Sequence, residues 1–274
     1  MQTPADLRSG SHLTSLPIVG RTGEPVSMPW LPFAVRHKPE ARSAAGAIAF
    51  AVQMAREVLE RRIGAVVPVR VLVVDGPCAA DSHALRPEST LWIASEPCAG
   101  WNELARMLDD RLPQRSRLLL RKAMGRAAGP LDLTPVAHTF AIDTYAGALA
   151  RASGTRFPRR WIANAFAAYA RVVTLAEGDP DALASQAHLA EVVGAVLPPS
   201  YALADPDVRA VVERIEATRD AVHAHARLGH APLARFLRAF PRGMAPRTDS
   251  ELARLVLREL GDAAFLPTIE ALAA

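Results

Sequence analysis

The familiar signatures of catalysis and cofactor binding are missing from this chain. It contains no G-x-S-x-G, no Walker loop, no G-x-G-x-x-G and no C-x-x-C, which excludes the common hydrolase, nucleotide and redox motifs. Cysteine is nearly absent. Cys78 and Cys98 are too few for a disulfide scaffold and are expected as unpaired thiols in a reducing compartment. No apolar run approaches the ~20 residues that a membrane-spanning helix needs. Residues 1–20 lack a basic start followed by an apolar block, so no secretory signal is expected. No membrane partner and a cytoplasmic location follow as expectations. Lysine is scarce as well: Lys38 and Lys122 are the only two, although basic residues number 32.

What is present is arginine, alanine and proline, the bias of a GC-rich, bacterial-like coding sequence. The pI is about 9.6, yet the formal net charge is only +4. One segment is locally basic, with Arg111, Arg115, Arg117, Arg121, Lys122 and Arg126 spaced along a helical pattern. These make a solvated face or an acidic docking patch. No aromatics interleave with them, and nucleic-acid binding is not expected. Half of the 274 residues are hydrophobic, enough for a substantial core.

Along the chain, residues 1–40 are rich in Pro, Gly and Ser and read as an irregular segment, with Trp30 and Phe33 available to pin it to the surface. From Pro39 to Ile63 the pattern turns helical, with Ile48, Val52, Ala55, Leu59 and Ile63 on one face and Gly64 as the stop. Val67–Gly76 reads as a central strand and Ser89–Ser95 as a second, in one small sheet. Beyond residue 100 everything reads as helix: 102–112, 116–127, 135–152 with Thr134 as N-cap, one from about Pro158, then 181–196, 206–228, 231–240, 248–260 and 263–272. Thr248 or Ser250 is placed to cap the 248–260 helix. With no repeat and no clear linker, residues 41–274 are expected as a single domain: 41–133 (helix, small sheet, basic helices) and 134–274 (helical).

The 135–152 helix contains Val136-Ala-His138-Thr139-Phe-Ala-Ile142-Asp143, and the next contains Trp161-Ile-Ala-Asn164-Ala-Phe166-Ala-Ala168-Tyr169. In order and spacing these segments resemble the gluzincin-type zinc metallopeptidases. There one helix carries H-E-x-x-H, with two zinc ligands about 40° apart on one face and the Glu as general base. A second helix, often W-x-x-E-G-x-A-E-Y, supplies a third ligand. The tail LGHAPLARFLRAFPRGMAPRTDSELARLVLRELGDAAF resembles the helical end of such peptidases, so the likeness spans about residues 40–272.

The resemblance implies an α+β, mainly α fold: a small N-terminal β-sheet with a long helix, followed by a zincin-like helical bundle. It matches His138 to the first ligand, but Thr139 stands where the base belongs, Ile142 where the second histidine belongs and Asn164 where the third ligand belongs. One imidazole and one amide oxygen do not make a catalytic zinc site, so zinc, other cofactors and conventional peptidase activity are not expected. What the resemblance leaves is a pseudopeptidase that binds a peptide or protein in the former cleft. Thr90, Leu91, Trp92 and Ile93 lie on the strand that would hold it by main-chain hydrogen bonds. The alternative is an enzyme with a repurposed, metal-independent cleft, His138 acting as acid or base and Thr139, Asn164 and Tyr169 positioning substrate. A relocated metal site drawing on the 223–230 segment is a variant; His223 and His225 lie about 200° apart on a helix, a poor pair for one ion. Each residue also has a plainer reading: His138 and Asn164 as hydrogen-bonded polar groups, Tyr169 as core, Trp161 as helix packing.

Overall fold

Residues 26–28, 31–74, 90–125, 128–244 and 247–260 are described by the computed structural model. Helix α1 (Arg42–Ile63) follows from its pattern. Ala45, Ile48, Val52, Ala55 and Leu59 recur at three- and four-residue spacing and are all fully buried, and Gly64 ends the helix with φ 77°, a left-handed cap that costs glycine nothing.

Four strands form one sheet in the order β1 (Val26–Ser27), β2 (Ala34–His37), β3 (Arg70–Val74), β4 (Thr90–Ala94). Strands β2, β3 and β4 are parallel, and β1 is antiparallel to β2. Helix α1 is therefore the crossover between β2 and β3, as parallel neighbours require. Part of the segment expected to be irregular is thus sheet, a correction to the reading of residues 1–40. The strand went unread because it is four residues long and buries a histidine: Phe33, Val35 and His37 point inward, while Ala34 and Arg36 point out. Strand β3 is central, as its sequence indicates, and among the described residues β4 is the last strand of the sheet.

The helices are α2 (Ala99–Arg111), α3 (Gln114–Ala123), α4 (Thr134–Thr139), α5 (Ala141–Ala152), α6 (Arg160–Gly178), α7 (Pro180–Val196), α8 (Pro206–Leu228), α9 (Pro232–Ala239) and α10 (Asp249–Leu260). Two details differ from expectation. The helix expected over 135–152 is divided at Phe140, which ends α4 and caps α5. Thr134 is not the cap; the Asp132 carboxylate accepts its backbone N–H at 2.9 Å. Helix α10 starts as its sequence suggests. The Thr248 hydroxyl accepts the Glu251 N–H, and the Glu251 carboxylate accepts the Thr248 N–H, a reciprocal capping box. Cys78, His83, Trp30 and the expected helix 263–272 lie outside the described residues.

Two apolar clusters hold these elements. One joins the sheet to α1, α5, α6, α9 and α10. Phe157, Phe166, Phe236 and Phe240 stack in it with centroids 5.2–6.3 Å apart; the three buried rings, Phe166, Phe236 and Phe240, are each worth about 1.5–3 kcal/mol in burial alone. The other gathers α2, α3, α4, α7 and the first half of α8. Helix α8 belongs to both. Its N-terminal turn comes so close to α2 that a Cβ on Gly100 would lie 2.4 Å from the Asp207 carbonyl oxygen.

Candidate functional site

Strand β4, the start of α2, the α4–α5 junction and the start of α8 enclose a groove of about 430 Å³. Its walls follow from the topology. The Ser95 N–H, just beyond β4, donates to the Val74 carbonyl at 2.8 Å. In a parallel ladder a residue's N–H and C=O face the same neighbour and alternate along the strand, so Leu91 and Ile93 also bond toward β3. Thr90, Trp92 and Ala94 then turn their main-chain groups to the other side. No strand among the described residues pairs there. Trp92, Ile93 and Ala94 line the groove.

His138 lines it too, half-buried. Its Nε2 lies 3.1 Å from the Ser95 carbonyl oxygen. A carbonyl only accepts, so Nε2 carries the proton and donates. The ring thereby ties the end of β4 to α4.

The other residues expected around His138 are dispersed. The Thr139 hydroxyl donates to the Val136 carbonyl at 2.6 Å and accepts from Gln186 Nε2 at 2.5 Å, turned toward α7. Ile142 is fully buried in the core around α1. Tyr169 is fully buried and its hydroxyl donates to the Gly229 carbonyl at 2.6 Å; burial pushes its pKa well above the ordinary tyrosine value. Asn164 is half-buried on α6 and is not among the groove's lining residues. Of the four expected cleft residues, His138 alone faces the groove. On β4, Trp92 and Ile93 reach it, Leu91 is buried in the core and Thr90 stands at the strand's start.

Groove residues that were not foreseen include Phe140, the cations Arg160 and Arg214, and the carboxylates Glu96 and Asp207. Arg160 and Arg214 are exposed, and neither forms an ion pair among the described residues. Phe140 is wedged edge-on against Trp101 at 5.2 Å between ring centroids. The guanidinium of Arg171 lies 3.6 Å from its ring centre, a cation–π contact in a dry setting.

Arg171 is the largest fully buried side chain, and it organises what lies behind the groove. Both Asp143 carboxylate oxygens accept from its Nη1 at 2.5 Å, Gln186 Oε1 accepts from Nε at 3.2 Å and the Thr218 hydroxyl from Nη2 at 2.6 Å. Burial pulls its pKa down while Asp143 opposes the shift. Five helices, α4 to α8, meet at this one cation and its partners. The signal was present in the sequence, since Asp143 and Arg171 are single charges inside the apolar runs of α5 and α6.

The positions that the resemblance gives to zinc ligands do not converge. His138 Nε2 is spent on a carbonyl and Ile142 is core. Among the described residues no three His, Cys, Asp or Glu side chains converge as ligands. His223 sits on the surface 3.5 Å from Glu191, while His225 packs by the Tyr169 ring, its pKa lowered by burial. No family model, no curated protein and no solved structure matches the chain.

Proposed function

We propose that this protein holds an extended peptide segment of a protein partner along β4, as a metallopeptidase-like chain without peptidase chemistry. One observation carries the reading: β4, the last strand of the sheet among the described residues, borders a groove, with the main-chain groups of Thr90 and Ala94 directed away from β3. Strand addition needs little more than such an edge and pockets for alternate side chains. Trp92 and Phe140 offer apolar contact. Beside the carboxylates of Glu96 and Asp207, Arg160 and Arg214 offer a partner's acidic side chain or terminal carboxylate the paired hydrogen bonds that an arginine can make.

The test deletes a main-chain donor without touching the ladder. Ala94→Pro removes an N–H that faces away from β3, and an edge strand tolerates proline there. Wild-type protein is expected to enrich a subset of short random peptides that Ala94→Pro no longer retains, at nearly unchanged melting temperature. Ile93→Pro, which breaks a bond to β3, is expected to destabilise the fold. Equal enrichment by Ala94→Pro and wild type, or none by wild type, refutes strand addition. The rival reading, acid–base catalysis, is favoured by the His138 ring facing the groove. It requires turnover of a substrate that His138→Gln abolishes while binding persists.

A further inference from the structure

A second cavity, about 510 Å³, opens between α9 and α10, and none of its lining residues belongs to the groove. Four arginines surround it: Arg235 and Arg238 from α9, Arg247 from the connecting turn and Arg258 from α10. Met244 and Leu255 contribute to an apolar floor, and among the described residues no carboxylate lines the walls. Arg235 and Arg247 form no ion pair among the described residues. Glu251, which senses Arg247, spends its carboxylate on capping Thr248. Among the described residues Arg238 Nε bonds only the Ala234 carbonyl of its own helix, at 3.3 Å.

The guanidinium groups of Arg235, Arg238 and Arg247 around one concavity repel one another, and a bound anion removes that repulsion. Arginine forks match the oxygens of a phosphate in pairs. The volume falls within the range of small-molecule sites, roughly 300–1,000 Å³. Among the described residues no aromatic side chain lines the cavity, and those residues offer no stacking platform of the kind that single-stranded nucleic acid uses. We infer that this cavity binds a small soluble phosphate monoester, its phosphate held by Arg235, Arg238 and Arg247 and its apolar body lying on Met244 and Leu255. The site is separate from the peptide groove, and its test is independent of that reading.

Calorimetric titration of the full chain with hexyl phosphate tests it, with inorganic phosphate as the headgroup alone. Saturable one-to-one binding of hexyl phosphate is expected, weaker for inorganic phosphate. The double variant Arg235→Gln, Arg247→Gln should weaken it by roughly tenfold or more, because two charge-assisted contacts are lost. Both side chains lie at the surface of the cavity, and circular dichroism verifies that the variant is folded; Arg160→Gln, in the groove, should bind as wild type does. The inference is overturned if hexyl phosphate does not saturate, or if the double variant binds it equally. Binding confined to phosphatidate vesicles, or to random duplex DNA, with none to hexyl phosphate, overturns it as well and makes the patch a membrane or nucleic-acid surface.

Discussion

Asp143→Asn isolates the energetics of the buried centre. Arg171 is 0 % exposed, and Asp143 supplies the only carboxylate that pairs with it among the described residues, at 2.5 Å. With asparagine in place, the cation stays interred among Phe140, Gln186 and Thr218 with no counter-charge. Breaking a buried pair by neutralising one partner costs about 3–5 kcal/mol. For a chain of this size that lowers the melting temperature by roughly 6–20 °C. The double variant Asp143→Leu, Arg171→Met leaves no charge behind and should recover much of the loss. What remains reflects Gln186 and Thr218 without their donor, about 1 kcal/mol each. Urea denaturation of the wild type, Asp143→Asn, Arg171→Met and the double variant measures the coupling. A loss below about 1 kcal/mol in Asp143→Asn, the size of a solvated surface pair, would refute the placement of Arg171 in a dry interior.

Gly100→Ala forces a Cβ against backbone at 2.4 Å, so α2 and α8 must separate; a loss of about 1–3 kcal/mol is expected in the same denaturation assay. Glu177 bridges Arg61 and Arg62, each at 2.7 Å, and its hydrogen bond to Arg62 leads in holding its pKa below the usual carboxylate value. The sign follows from the direction: its contribution is complete above the unfolded value of about 4.3 and disappears as pH falls through the lower folded value. Melting temperatures of Glu177→Gln and wild type should therefore differ near neutral pH and converge in strong acid; a constant difference refutes the linkage.

How far the fold could be read depends on where the information lay. Helix α1, strands β3 and β4, and the capping box on α10 are encoded in contiguous residues: a 3.6-residue stripe, a β-branched run, a Thr–Glu pair three apart. Strand β2 is equally local, but its inward set includes His37, which disguises the period of two. The break at Phe140 is tertiary in origin, since the ring is fixed by Trp101 on α2 and Arg171 on α6. Likewise Arg160 and Arg214 come from different helices and meet at the groove only through packing. Asp143 and Arg171 were readable as anomalies, single charges in apolar runs, yet nothing in sequence says that they pair.

His138 is the residue on which the two functional readings part. As a clamp, its Nε2–H stabilises the Ser95 carbonyl and so the end of β4. Removing one neutral hydrogen bond costs about 0.5–1.5 kcal/mol, which converts to roughly 2- to 13-fold faster local opening. His138→Ala should therefore speed amide exchange at Ser95, whose N–H is held by Val74, by that factor, with a smaller effect at Leu91, four residues along the strand. If His138 instead acts on a ligand, exchange at Ser95 stays unchanged while binding or turnover falls. Hydrogen exchange at Ser95 thus distinguishes a histidine that shapes the groove from one that works inside it.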